Sequence, residues 1–127
     1  MRHLVNKYKL SRTNGQRTAL AKGLLLAVAE KGSITTTRTK AKFIQPFVER
    51  CMSRAKTGEM SDMKFLTTLV GENAAFKLVH HIAPGYTRNS GFSRIVPLGF
   101  RRGDNTEIVK LELLEKDVEV IIKKKTK

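Results

Sequence analysis

The sequence predicts an α+β fold in which helices pack on one small three-stranded sheet. Apolar residues recur at helical spacing in the first half and the middle of the chain, whereas short β-branched or alternating stretches lie at 33–37 and near the C-terminal end. The 127 residues are the usual length of one domain and can bury a core without disulfides. After a basic arm and a first helix, the predicted element order is β-α-α-α-β-β.

Three segments are expected along the chain. Residues 1–12 mix bases with polar and single apolar residues and show no amphipathic stripe, which predicts an extended basic arm. Residues 13–116 form a single domain, since no linker or repeat interrupts them. Residues 117–127 form a basic, partly disordered C-terminal extension; the stretch 115–127 is expected to add a short strand before its disordered tail.

The first helix is predicted over 13–32. Thr13 and Gln16 have the spacing of a capping box, in which the two side chains satisfy each other's backbone N–H groups. Gly32 is placed to end the helix in a left-handed conformation. The apolar residues that recur at helical spacing are Leu20, Leu24 and Val28.

The next elements are a strand at 33–37 ("SITTT") and a helix over 39–58, which Gly58 ends and which contains Pro46. The apolar face of this helix comprises Ile44, Phe47, Val48, Cys51, Met52 and Ala55. Its polar side comprises Lys42, Arg50, Arg54 and Lys56.

Two shorter helices follow over 61–71 and 72–85, with Ser61 as N-cap of the first and Pro84-Gly85 ending the second.

The last two strands are predicted at 91–99 and 106–114, where apolar and polar residues alternate. Pro97 predicts that the first of them is an edge strand or is bulged, because proline cannot donate to a strand ladder. A turn over 99–105 joins them. It contains "FRRGDN", in which Gly103, Asp104 and Asn105 favour a tight turn.

Positive charge is the strongest compositional signal. Lys and Arg number 25 against 11 Asp and Glu, so the formal net charge is +14. Residues 1–48 contain a single acid, Glu30, and residues 73–103 contain none. A segregated excess of this size indicates a polyanionic partner, because solubility alone needs far less charge.

Catalysis, metal binding and cofactor binding find little support in the sequence. His80 and His81 are helix neighbours that point about 100° apart and have no clustered carboxylate or thiol beside them. Cys51 lies on an apolar helix face and is expected to be a buried thiol. There is no glycine-rich phosphate loop. We therefore predict no enzyme activity, no metal, no cofactor and no small-molecule substrate.

Export and membrane insertion are not predicted either. The N-terminus lacks an apolar signal-peptide core, and the longest apolar run, "LLLAVA", is too short to span a bilayer. A lone cysteine fits a reducing compartment. A cytoplasmic location is therefore expected, with an organelle as the alternative, and the "RGD" tripeptide at 102–104 is not expected to serve as an adhesion signal.

The basic residues have two predicted positions of contact with nucleic acid. In the arm, bases without balancing acids can neutralise phosphates, and His3 and Tyr8 can stack on bases. At the turn, Arg101 and Arg102 sit at a strand end, where a rigid hairpin suits bidentate phosphate contact.

Several short motifs, in their order and spacing, resemble the bacterial L-seventeen family of large-subunit ribosomal proteins. They are "MRH" at 1–3, "LSRTNGQRTAL" at 10–20, "ITTTRTKAK" at 34–42, "RAKTG" at 54–58, "GFSRI" at 91–95 and "GFRRGDNTEIVKLEL" at 99–113. The resemblance implies helices on a small mixed three-stranded sheet. It also implies a structural, non-enzymatic role in binding large-subunit ribosomal RNA near the peptide exit tunnel, beside neighbouring ribosomal proteins.

The charge pattern and the resemblance together give one set of candidate RNA-binding residues. These are Arg2, His3, Lys7, Lys9, Arg12, Arg17, Arg38, Lys40, Lys42, Arg88, Arg94, Arg101 and Arg102. Two alternatives stay open. A free nucleoid-type DNA-binding protein needs a base-reading recognition helix. A nuclease needs clustered carboxylates for metal, whereas Asp104 has no acidic neighbour before Glu107.

Overall fold

The computed structural model describes residues 8–114. Their elements, in chain order, are α1 (Asn14–Lys31), β1 (Ser33–Thr37), α2 (Arg38–Thr57), α3 (Met60–Val70), α4 (Glu72–Lys77), a π-helical turn (Leu78–Ile82), a 3₁₀ turn (Ala83–Gly85), β2 (Ser93–Phe100) and β3 (Glu107–Leu113). The α+β class and the predicted element order are confirmed. Residues 1–7 of the predicted arm, the last two residues of the predicted domain and the whole extension over 117–127 lie outside the described residues.

The first helix has the predicted ends. The Thr13 backbone N–H donates to Gln16 Oε1 at 3.1 Å within a capping box. Gly32 ends the helix with a φ of 74°, and its N–H donates to the Val28 carbonyl at 2.8 Å. The buried face of α1 differs from the predicted one, since Leu20 and Leu24 are only half-buried. The buried residues are Ala21, Leu25, Val28 and Ala29, whose two alanines leave room for neighbouring helices.

The sheet has the strand order β1-β3-β2, and both neighbouring pairs are antiparallel. The expectation of a mixed sheet is therefore wrong. The last strand, β3, inserts between the other two and runs against both. Strands β1 and β2 run parallel to each other, but β3 lies between them, so they are not hydrogen-bonded neighbours.

Strand β2 is an edge strand and is also bulged. Pro97 pairs with Val109, but the next partner, Ile108, pairs with Gly99, so the register shifts at this point. An edge position and a bulge both accommodate a residue that lacks a backbone N–H. The two consequences expected from Pro97 are both confirmed.

Helix α2 is the centre of the packing, since it contacts α1, α3 and all three strands. Its buried residues are Ala41, Phe43, Ile44, Val48, Cys51, Met52 and Ala55. Gly58 ends the helix in the left-handed conformation, as predicted. Burial among these side chains raises the pKa of the Cys51 thiol to about 11. The thiol is therefore protonated at neutral pH and belongs to the core, as expected from its position on the apolar face.

Two charged side chains of α2 hold the segment that leads into β2. The Glu49 carboxylate accepts the backbone N–H groups of Gly91, Phe92 and Ser93 at 2.9–3.1 Å, and the Ser93 hydroxyl at 2.6 Å. Seven residues later on the same helix, Lys56 Nζ donates to the carbonyls of residues 87 and 88 at 3.2 and 2.6 Å. The two side chains satisfy backbone groups that no strand or helix pairs.

Two details of the later helices differ from the sequence expectation. Helix α3 begins at Met60 with Glu59 as its N-cap, ahead of the predicted Ser61, because Gly58 already turns the chain out of α2. The helix predicted over 72–85 changes its winding after Lys77 to a π turn and then a 3₁₀ turn. Its end at Pro84-Gly85 is as predicted.

We predict that Glu49→Gln lowers the free energy of unfolding by about 1–3 kcal/mol, because an amide cannot accept from all four donors and leaves partly buried N–H groups unpaired. Equilibrium urea unfolding measures the change. Glu30→Gln is the matched control: it removes the same charge from an exposed side chain and should change stability by less than about 0.5 kcal/mol. Equal effects of the two substitutions would contradict the role given to Glu49.

Candidate nucleic-acid interface

The connection between β2 and β3 is a tight turn with its own hydrogen bonds. The Arg101 N–H donates to the Thr106 carbonyl at 2.9 Å, and the Asn105 N–H donates to the Arg101 carbonyl at 3.0 Å. Gly103 and Asn105 adopt φ values of 98° and 52°, the left-handed region that glycine and asparagine tolerate best. The predicted hairpin turn is confirmed.

The Asp104 carboxylate accepts four hydrogen bonds within this turn. It accepts Arg101 Nε at 3.1 Å and Arg101 Nη2 at 2.5 Å, and also the Thr106 hydroxyl at 2.7 Å and the Thr106 N–H at 3.2 Å. These bonds, the one from Arg101 foremost, hold the pKa of Asp104 well below its usual range. Asp104 is therefore ionised and fully engaged within the turn, and it is not a free carboxylate for metal or catalysis.

The two arginines of the turn have different surroundings. Arg101 is bound bidentately by Asp104, which raises the pKa of its guanidinium, so this side chain is part of the turn's internal structure. The guanidinium of Arg102 is exposed and has no ion pair with any residue of 8–114. A phosphate can therefore approach Arg102 directly.

The start of α2 lies at the same end of the sheet as the turn. Thr37, which precedes α2, pairs with Ile108 at the beginning of β3. The next residue, Arg38, donates to the Glu107 carboxylate at 2.7 Å across the two elements. We call this region the basic end. It comprises Arg38, Lys40, Lys42, Arg101 and Arg102, all predicted as RNA contacts.

The lysines of the basic end are available for a partner. Lys40 and Lys42 make no ion pair within the described part of the chain, and Lys42 is exposed. Arg38 is more than half exposed even though Glu107 binds it.

The N-terminal part of α1 lies beside α2 and carries further cations. Arg17 donates to the Arg12 carbonyl at 2.6 Å and contacts the Asn14 side chain at 3.5 Å. Arg17 and Lys22 of α1 line one open groove together with Phe43 and Phe47 of α2. Lys9 and Arg12, just ahead of α1, are exposed. By contrast, Tyr8, a candidate for base stacking, packs partly against the core.

Two predicted residues lie away from the basic end. Arg94 is at the opposite end of β2 and donates to the Glu112 carboxylate at 2.7 Å. Lys110 also binds Glu112, at 2.8 Å, and the two cations, Lys110 foremost, lower the pKa of that carboxyl. Arg88 lies in the segment held by Lys56 and contacts the Gly91 carbonyl at 3.4 Å. Arg2, His3 and Lys7 lie outside the described residues.

A sequence profile described as ribosomal protein L17 matches residues 20–114. The chain belongs to the ribosomal protein L17 family. Among its relatives are the proteins named large ribosomal subunit protein bL17 of Petrotoga mobilis and Campylobacter hominis. The first is 38% identical over 92% of this chain and 99% of the relative, and the second is 39% identical over 90% and 98%. The bL17 protein of Gemmatimonas aurantiaca is 38% identical with the same coverage as the second.

Membership in the L17 family gives the chain the structural role of a ribosomal protein, in a family that is not enzymatic. Within residues 8–114, no group of three or more His, Cys, Asp and Glu side chains could hold a metal ion. No helix of that same range has the length and apolarity to cross a membrane.

The roles of Glu49, Lys56 and Lys22 were not predicted from the sequence. Glu49 and Lys56 belong to one helix face at a spacing of seven, but their partners are backbone groups of a distant loop, and no local pattern reveals them. Lys22 lies at the rim of the groove. The spacing of five between Lys22 and Arg17 on a helix gives no sign that both flank the phenylalanines of α2.

We predict that the carboxyl of Asp104 titrates below the usual range of aspartate and that Arg101→Gln raises this pKa partway, because the Thr106 bonds persist. Carbon-detected NMR titration of the carboxyl measures both values. Since the folded pKa is depressed, the carboxylate stabilises the turn at neutral pH, and this contribution is lost as pH falls below the ordinary value toward the folded one.

Arg102→Gln is the matched control for this titration. It removes the same charge from the next residue without touching the carboxylate and should leave the pKa of Asp104 nearly unchanged. If both substitutions moved the titration equally, the low pKa would reflect the general positive field and not the Arg101 contact.

Proposed function

We propose that this L17-family chain is a structural constituent of the large ribosomal subunit that binds the subunit's RNA. The basic end carries the proposal, because cations from the start of α2 and from the β2–β3 turn converge there. Within the described residues, its acids Glu107 and Asp104 are already bound by Arg38 and Arg101. The lysines and Arg102 are therefore left to an external anion.

The chemistry of binding is phosphate neutralisation by a surface of fixed shape. Each phosphate contact releases counterions from the RNA, so the affinity depends steeply on salt. A-form RNA is read mainly through its backbone and shape, which suits bases held on a turn and at a helix start. The formal net charge of +14 agrees with many such contacts.

The alternative of a free nucleoid-type DNA-binding protein receives less support. Such a protein would present a helix with polar side chains to the major groove. Here Arg38, Lys40 and Lys42 occupy only the beginning of α2, and the other cations of the basic end lie on the turn. A preference for duplex DNA over structured RNA in direct binding would favour the alternative.

The proposal also includes a finer placement. We infer that the chain lies near the peptide exit tunnel of the cytoplasmic ribosome, beside neighbouring large-subunit proteins. The motif resemblance supports it, and the curated relatives bear names of large-subunit proteins. Its test is a density map of large subunits assembled with this chain. Density for the chain away from the tunnel rim would reject the placement while leaving RNA binding intact.

The decisive experiment for RNA binding is titration of the full chain with deproteinised large-subunit RNA and, separately, with duplex DNA of random sequence. We expect tighter binding to the RNA at every salt concentration, and cosedimentation with large subunits through a high-salt gradient. Equal affinity for the two nucleic acids, or release of the chain as a loose cation, would overturn the proposal.

We predict that the double substitution Lys40→Gln and Lys42→Gln weakens RNA binding and lowers the slope of log affinity against log salt by roughly 1.4–1.8, about 0.7–0.9 for each phosphate that is no longer neutralised. Filter binding over a salt series measures the slope. The control variant carries Lys31→Gln and Lys64→Gln, two exposed lysines outside the basic end. Equal slopes for the two variants would show that charge alone, and not the basic end, determines binding.

A further inference from the structure

The last residues of β2 expose two large apolar side chains. Leu98 is 56% exposed and Phe100 is 68% exposed, and both lie within three residues of the turn. An exposed apolar patch with a polar rim is typical of an interaction site. The arginines of the turn supply that rim.

The register of the sheet places Phe100 opposite Glu107 and Leu98 within the bulge. Leu98 lies within the bulge between Pro97 and Gly99, where the alternation of the strand is interrupted. Phe100 pairs directly with Glu107, and directly opposed residues present their side chains on the same face of a sheet. The Phe100 ring therefore shares its face with the Glu107 carboxylate that binds Arg38.

The backbone beneath the ring is held on both sides. Phe100 ends β2, and the next residue, Arg101, donates its N–H to Thr106 and its guanidinium to Asp104. A ring on such a support is already in place before a partner arrives, so binding costs less ordering of the protein. The backbone that carries the Phe100 ring is therefore held in place by the strand on one side and by the turn on the other.

We propose that Phe100 is the stacking platform for an unpaired nucleobase of RNA, with Arg102 on the adjoining phosphate. Aromatic side chains flanked by cations are the usual means of holding unstacked bases. Charge complementarity favours RNA over a protein as the occupant, because the acids nearest the ring, Glu107 and Asp104, are each bound by an arginine. The proposal rests on the proposed RNA-binding function and names one contact within it.

Phe76 provides an internal comparison. It is 51% exposed, but its ring already packs against His80 at 4.3 Å and against His81 at 5.9 Å between centroids. Its neighbours are side chains of its own helix and turn, and it lies on α4, away from the basic end. Substitutions at Phe76 thus control for the general effect of losing an exposed aromatic ring.

The first experiment compares Phe100→Leu, Phe100→Tyr and Phe76→Leu in titrations of the full chain with deproteinised large-subunit RNA. We expect Phe100→Leu to weaken binding about 5- to 150-fold, the range for loss of one stacked base. The salt slope should not change, because no charge is removed. Phe100→Tyr, which keeps the aromatic face, and Phe76→Leu should bind like the wild type. Circular dichroism melting verifies that each variant is folded.

The second experiment uses the absence of tryptophan from the sequence. Phe100→Trp introduces a single indole, whose fluorescence a stacked base quenches. We expect strong quenching on addition of the deproteinised RNA, and little quenching for Phe76→Trp.

The outcomes separate this inference from the proposed function. If the wild type fails to bind the RNA, the proposed function itself fails. If the wild type binds but Phe100→Leu binds equally well and the indole is not quenched, only the stacking platform is rejected. Quenching that appears only in particles containing other ribosomal proteins would also reject it, since the occupant would then be a protein surface.

Discussion

The position of β2 depends on one carboxylate. Glu49, in the middle of α2, accepts three consecutive backbone N–H groups and the Ser93 hydroxyl just where the strand begins. A slip of one residue in a strand moves every side chain to the other face. By fixing residues 91–93 against the helix, Glu49 sets the face on which Ile95 and Phe100 lie.

The same helix connects both ends of the molecule. Near its C-terminal end, Lys56 holds the carbonyls that precede β2, and at its N-terminal end Arg38 binds Glu107 beside the turn. Because α2 contacts every strand and most of the other helices, these polar contacts are attached to the best-packed part of the core. The basic end is thus supported by a rigid element, which is what a surface of defined shape requires.

The arginines divide into two groups with different roles. Arg38, Arg94 and Arg101 each bind a carboxylate, and exposed pairs of this kind add little stability by themselves. Their effect is to fix side-chain geometry and to neutralise the acids that they bind. Arg102, Lys40 and Lys42 stay without an acidic partner in residues 8–114, so they keep their full charge for an external one. In "RRGDN", the aspartate and the first arginine thus form the turn, and the second arginine faces outward.

The sequence by itself determined the element order, both ends of α1, that the Pro97 strand is at an edge or bulged, and the buried thiol of Cys51. Each of these follows from local chemistry: a capping pair, a glycine at a helix end, a missing N–H, or a periodic apolar face. Only the tertiary structure decided three features. They are the antiparallel insertion of β3, the hydrogen bonds that join Glu49 and Lys56 to the segment before β2, and the binding of Arg101 but not Arg102 by Asp104. These depend on partners far away in the chain or on the fold of one turn, and residue types alone do not specify which donor meets which acceptor.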